Sequence, residues 1–305
     1  MPRMLRAMGV TLALLSMLGF GTNILVSRHA VVRMPIEQGF LIALAINVVV
    51  SLLAFAADLT LTQRLFSWHW NGAWIYAFSG FVGTYLGRRL MFDTVRLLGP
   101  ARASVLHSCT PVFSMIAAWA LVGERLGAFE LILMAVVMFG LWFTQPPSTE
   151  TSLTAQADRR LIHRGMLIGI LTIAGFGASN GLRGLGMREW AEPILASAIG
   201  SGTGLVLQLI TTRKLLRVLR DLLKGDRRGM LLYAISGIAT AWGGIFLVAA
   251  MAHIEIALAA LVTHTTPLLV FPVSVFIYRN REALTWRTLG GALLVLGGIT
   301  LLLLR

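Results

Sequence analysis

The chain of 305 residues is 57% hydrophobic and only 13% charged, with a mean hydropathy of +0.79, which excludes an ordinary water-soluble domain, where the charged share runs near ~25%. The formal charge of +13 does not point to nucleic acid, because Lys and Arg sit in short breaks between apolar runs, where they meet anionic headgroups. The single cysteine, Cys109, excludes an intrachain disulfide and any cysteine-built metal cluster.

Apolar runs about twenty residues long predict membrane-spanning helices. The first covers 8–27. Arg3 and Arg6 precede it as in a signal peptide, yet no small-residue cleavage motif follows, so a retained helix is expected. Spans at 38–57, 74–93, 101–122 and 126–144 follow, with Trp68, Trp70 and Trp74 gathered before the third as in an interfacial aromatic belt. A polar linker at 146–163 opens with Pro146-Pro147. Beyond it lie spans at 165–182, 193–212, 229–251, 257–278 and 284–304.

The two groups of five are copies. Gly19-Phe20-Gly21 recurs as Gly175-Phe176-Gly177 and Thr110-Pro111 as Thr266-Pro267, both at a spacing of 156. Tyr76-Ala77-Phe78-Ser79-Gly80 returns as Tyr233-Ala234-Ile235-Ser236-Gly237, one residue further on. The domains are therefore 1–145, the linker 146–163 and 164–305. Five spans per copy is an odd number, so the second copy enters the membrane inverted. That implies a pseudo-two-fold axis in the membrane plane, a central cavity between the copies and both termini on one side. Lys and Arg concentrate in the breaks after the odd-numbered spans, seven of them between Arg213 and Arg228. The positive-inside rule on that count puts both termini outside.

Leu98-Gly99-Pro100-Ala101-Arg102-Ala103-Ser104, then Thr110-Pro111, then Gly123-Glu124-Arg125 resembles the drug/metabolite transporter superfamily, its ten-helix EamA-like branch best. The second copy repeats this more loosely in Ala257 to Ala260, Thr266-Pro267 and Arg281-Glu282. The resemblance implies a ten-helix secondary transporter of a bacterial-type inner membrane, with cytoplasmic termini, against the charge count. It leaves the substrate open among amino acids, drugs, sugars and nucleotide-sugars.

Several residues are candidates for the substrate site. Pro111 and Pro267 free the carbonyls of His107 and Thr263, so each helix either kinks and satisfies itself through nearby hydroxyls or lines the cavity. His107 and His264 are the histidines well inside spans; they either bond within the bundle or meet substrate or a proton. Arg88 and Arg89 lie inside the third span, where a charge is costly. Asp93 is placed to neutralise Arg89. Arg88 has no such neighbour, and the second copy carries Ile245 and Phe246 at those positions, so Arg88 either snorkels or binds substrate. Arg183 raises the same question. Asn23, Ser179 and Asn180 follow the Gly-Phe-Gly motifs and suit either packing or the site. Tyr85, three residues before Arg88, and its counterpart Trp242 are candidates to stack on a flat ligand.

No carboxylate lies mid-span to take an organic cation. The Arg and His inventory therefore suits a small anionic or zwitterionic metabolite such as an amino acid, exported by alternating access. Enzyme motifs are missing, and no cofactor or metal is expected. The expected surroundings are membrane lipids around a monomer. The alternatives are an intramembrane lipid-modifying enzyme, with His253 and Glu255 as its acid–base pair, or a non-transporting scaffold.

Overall fold

The computed structural model describes residues 2–144, 159–212, 215–223, 225–269 and 286–304, and every regular element among them is helical. In chain order these are α1 (Pro2–Arg33), α2 (Ile36–Thr62), α3 (Trp70–Ser79), a π-helical stretch (Gly80–Gly87), α4 (Arg88–Leu98), α5 (Pro100–His107), α6 (Thr110–Val122) and α7 (Ala128–Thr144). After the linker come α8 (Arg159–Glu189), α9 (Pro193–Thr211), α10 (Leu215–Leu223), α11 (Arg227–Ala250), α12 (Ile256–Thr263) and α13 (Trp286–Leu304). Six helical stretches are long and apolar enough to cross a bilayer: Met4–Arg33, Ile36–Thr62, Arg102–Val122, Arg160–Glu189, Pro193–Thr211 and Arg227–Ala250. The chain is thus a multi-pass membrane protein. Apolar side chains such as Leu53, Trp119, Ile132 and Ile210 are exposed on its outside, where lipid would cover them.

Where the helices depart from the expected spans, the cause is local. α1 and α8 outrun 8–27 and 165–182, because helical hydrogen bonding continues through polar residues that hydropathy discounts. The third span runs unbroken over residues 70–98 but passes through the π stretch. The fourth is interrupted at Ser108 and Cys109, and the ninth turns at His264–Thr266 before residues 267–269 resume the helix. Residues 270–278, Arg281-Glu282 and the linker up to 158 lie outside the described residues. Trp68, Trp70 and Trp74 are exposed beside the start of α3.

The copies hold each other through exchanged contacts. The Tyr76 hydroxyl donates to the Trp190 carbonyl at 2.6 Å, and Tyr233 donates to Met34 at 3.5 Å. Ser236 donates to Asn23 Oδ1 at 2.5 Å, while Ser179 pairs with Ser79 at 3.3 Å. Gly9 packs on His253 and Ile254, and Gly165 on Leu97 and Leu98. In each case both partners shift by the repeat spacing, so each contact recurs with the roles of the copies exchanged. Close approach needs glycine at the crossings. A Cβ on Gly237 would sit 2.6 Å from the Ala43 carbonyl oxygen, and one on Gly80 2.6 Å from Gly200 Cα. Small residues of this kind let helix backbones touch in lipid.

Charge is handled at the ends. Arg64 pairs with both Asp58 and the buried Glu192 beside the start of α9, and these carboxylates hold its guanidinium firmly charged. Arg33 pairs with Asp226, the N-cap of α11, and keeps that carboxyl below the usual range.

Candidate functional site

A cavity of about 60 Å³ opens between the copies. From the first copy come Phe20, Phe40, Asn47, Thr84 and Arg88; from the second, Arg183, Ser197, Ser201 and Thr240. The space suffices for a few waters and falls well short of the ~300 Å³ at which ordinary ligand pockets begin. Its walls must part to admit a metabolite.

Arg88 enters this cavity from the first residue of α4, directly after the π stretch. Its guanidinium carbon lies 4.9 Å from the Phe40 ring centroid, a cation–π brace that leaves the N–H edges free for other partners. Arg183, from α8, faces the same space and is within electrostatic reach of Arg88. Among the described residues the ion pairs are made by Arg6, Arg33, Arg64 and Arg188. Neither cavity arginine has a carboxylate partner among the described residues.

A hydrogen-bonded strip forms another part of the lining. Asn47 donates to Thr240 at 3.2 Å and accepts from Ser51 at 3.4 Å, and Ser51 donates to Ser197 at 3.2 Å. Three helices, α2, α9 and α11, are tied together by this network at the cavity edge.

Next to the arginines, the broken helices of the two copies meet. The imidazole centroids of His107 and His264 lie 5.2 Å apart, and His107 also sits 5.1 Å from Phe176 of the second Gly-Phe-Gly motif. Pro111 stands in the first turn of α6, not inside a continuous helix. The His107 carbonyl that it leaves free accepts from the Thr110 hydroxyl at 2.7 Å. Pro267 likewise begins the resumed helix after the turn. On that side Thr263 Oγ1 and His264 Nε2 are buried with no hydrogen-bond partner among the described residues.

The remaining predicted residues fall elsewhere. Tyr85 accepts from Arg89 at 3.2 Å and stacks on Phe81, off the cavity lining. The bond of Arg89 therefore goes to Tyr85 and not to Asp93. The π stretch changes which residues share a face with Arg88, and Thr84, not Tyr85, lines the cavity beside it. Trp242 stacks on Phe246 and is 43% exposed on the outer surface. Asn23 accepts from Ser27 and Ser236, and Asn180 donates to Ser114 at 3.0 Å, so both amides join helices. Asn47, Thr84, Ser197, Ser201 and Thr240 are cavity residues that motif reading passed over. The available signal was polar residues four apart in apolar runs: Asn47 and Ser51, Ser197 and Ser201, Ser236 and Thr240.

A second, wider opening is lined by Arg6, Glu124, Arg188, His253 and Glu255. Glu124 accepts from the Ile256 amide at 3.0 Å, at the start of α12, and lies 3.8 Å from Arg188. Among the described residues no three His, Cys, Asp or Glu side chains gather as a metal site.

The profile of the EamA-like transporter family matches residues 7–145 and again 163–304. No curated protein matches the chain. A solved structure described as "Crystal structure of protein" superposes with a TM-score of 0.72 at 15% identity, over 96% of this chain and 95% of the other. That likeness concerns the fold.

Proposed function

Because the chain belongs to the EamA-like transporter family, we propose that this two-repeat membrane transporter is a secondary exporter of a small anionic metabolite, working by alternating access between inverted five-helix repeats. One observation carries the substrate charge: two arginines share a cavity between the copies that no described carboxylate neutralises. An arginine inside a span costs about 2.5–3.5 kcal/mol on insertion scales, and a bound anion would offset it.

Inversion is supported by the helix ends. Arg6, near the start of α1, and Arg188, near the end of α8, line one opening, so equivalent helices of the two copies run in opposite directions. The small volume of the cavity supports a mechanism in which one repeat rocks against the other to widen it. We take ten spans, with both termini cytoplasmic in an inner membrane as the family implies. Arg88, His107, Thr263 and His264 are the substrate contacts of this reading, and the helix breaks before Pro111 and Pro267 are its hinges.

The test is flux in proteoliposomes. Arg88→Lys keeps a point charge but loses the planar fork, so transport should weaken substantially. Arg88→Ala should nearly abolish it with membrane insertion intact. Full flux of an identified substrate by Arg88→Ala would show that the residue only braces against Phe40.

A further inference from the structure

Arg183 changes what the cavity can hold. One arginine would suit a carboxylate on any amino acid. Two arginines from opposite copies, facing one cavity without a described carboxylate, leave two positive charges to be balanced. A zwitterion supplies one negative charge and adds an ammonium group. That ammonium would enter beside two guanidinium groups and find only neutral oxygens, those of Asn47, Ser197, Ser201, Thr84 and Thr240, to accept from it. In a low-dielectric site such like-charge proximity is heavily penalised.

We propose that the substrate is a compact dianion, with Arg88 and Arg183 each engaging one end of its charge. This rests on the anion-transport reading of the same cavity and assigns Arg183 as a specificity residue within it. The geometry allows each guanidinium a charge-assisted fork onto a carboxylate or phosphate. Phe40 holds Arg88 from behind, so its donor edge is oriented before the ligand arrives. The Thr84 hydroxyl and the second amide N–H of Asn47 are left to donate to any remaining oxygens, since the Ser201 and Thr240 hydroxyls already donate to carbonyls of their own helices. Because the two arginines come from different copies, a dianion bridging them also ties the repeats together. The closed, loaded state is then favoured over the closed, empty one, in which the cations repel.

The purified full chain in detergent tests this by thermal unfolding. Sulfate and hydrogen phosphate are compared with chloride at matched ionic strength, and succinate and glycerol 3-phosphate with butyrate and alanine, in the wild type, Arg88→Gln and Arg183→Gln. A dianion should raise the melting temperature beyond its monoanionic or zwitterionic comparator. Each substitution should weaken its apparent affinity by about tenfold or more, the loss expected of a hydrogen bond to a charged group. Arg183→Gln should also raise the melting temperature of the empty protein, since it removes an unpaired cation. A larger response to succinate than to glycerol 3-phosphate identifies two carboxylates as the preferred chemistry, and the reverse a phosphate monoester. Butyrate or alanine stabilising as well as the dianions, through Arg88 alone, would overturn the dianion and leave anion transport standing. A response to no anion that either substitution alters would overturn both.

Discussion

The Tyr76 hydroxyl donates to the Trp190 carbonyl across 2.6 Å, joining the third span of one copy to the end of the first span of the other. Tyr76 is fully buried, and Trp190 closes over it within the same apolar cluster. The symmetry-related bond of Tyr233 is stretched to 3.5 Å. Tyr76→Phe should therefore cost about 0.5–1.5 kcal/mol, the net worth of one hydrogen bond, because the Glu192 amide still donates to the Trp190 carbonyl. Tyr233→Phe should cost clearly less. Unfolding of the purified variants in detergent measures both; equal losses would show that the two bonds are equivalent in solution.

The Gly-Phe-Gly motifs predict a similar asymmetry. A Cβ on Gly177 would lie 2.7 Å from the Ser114 amide nitrogen, against backbone of α6 that cannot move alone. A Cβ on Gly21 would meet Leu269 Cδ2 at 2.6 Å, the far end of a flexible side chain. Gly177→Ala should destabilise by about 1–3 kcal/mol, as overpacking does, with Gly21→Ala near neutral. Yield and melting temperature of the two variants decide it. Gly21→Ala proving the more damaging would contradict the packing.

Glu124 makes stability depend on pH. Burial pushes its carboxyl up, outweighing the Ile256 amide that it accepts from. A folded pKa above the unfolded one means that the stabilisation is complete below the unfolded value and is lost as pH rises through the folded value. Glu124→Gln stays neutral and keeps an acceptor for Ile256. Its melting temperature relative to wild type should climb as pH rises above the ordinary carboxylate range. A flat or falling difference there would refute the assignment.

Orientation is open to labelling. With Cys109 replaced, a cysteine at Arg220 on the amphipathic α10 should react with an impermeant reagent added outside intact cells if the termini are cytoplasmic. Protection there, with labelling after lysis, would favour the opposite orientation that the Lys and Arg distribution implies.

Much of this protein is legible without coordinates because membranes impose local rules. A run of apolar residues must satisfy its own backbone, so composition marks out membrane-length helices, six of which the structure shows, and duplication survives as matching motifs around Gly19, Tyr76 and Thr110. Arg88 stood out as a charge that the second copy lacks. What composition does not carry is the direction in which each helix turns and which helix lies beside it. The π stretch shifts residues around the axis, bringing Thr84 with Arg88 to the cavity and leaving Tyr85 outside. The turn before α6 lets Thr110 satisfy the carbonyl that Pro111 frees. Arg183 is ninety-five residues from Arg88 along the chain, and only packing of the two copies brings these cations to one cavity. Helix positions are thus set by transfer from water to lipid, which acts residue by residue. The cavity is set by contacts between helices, which exist only once the copies have assembled.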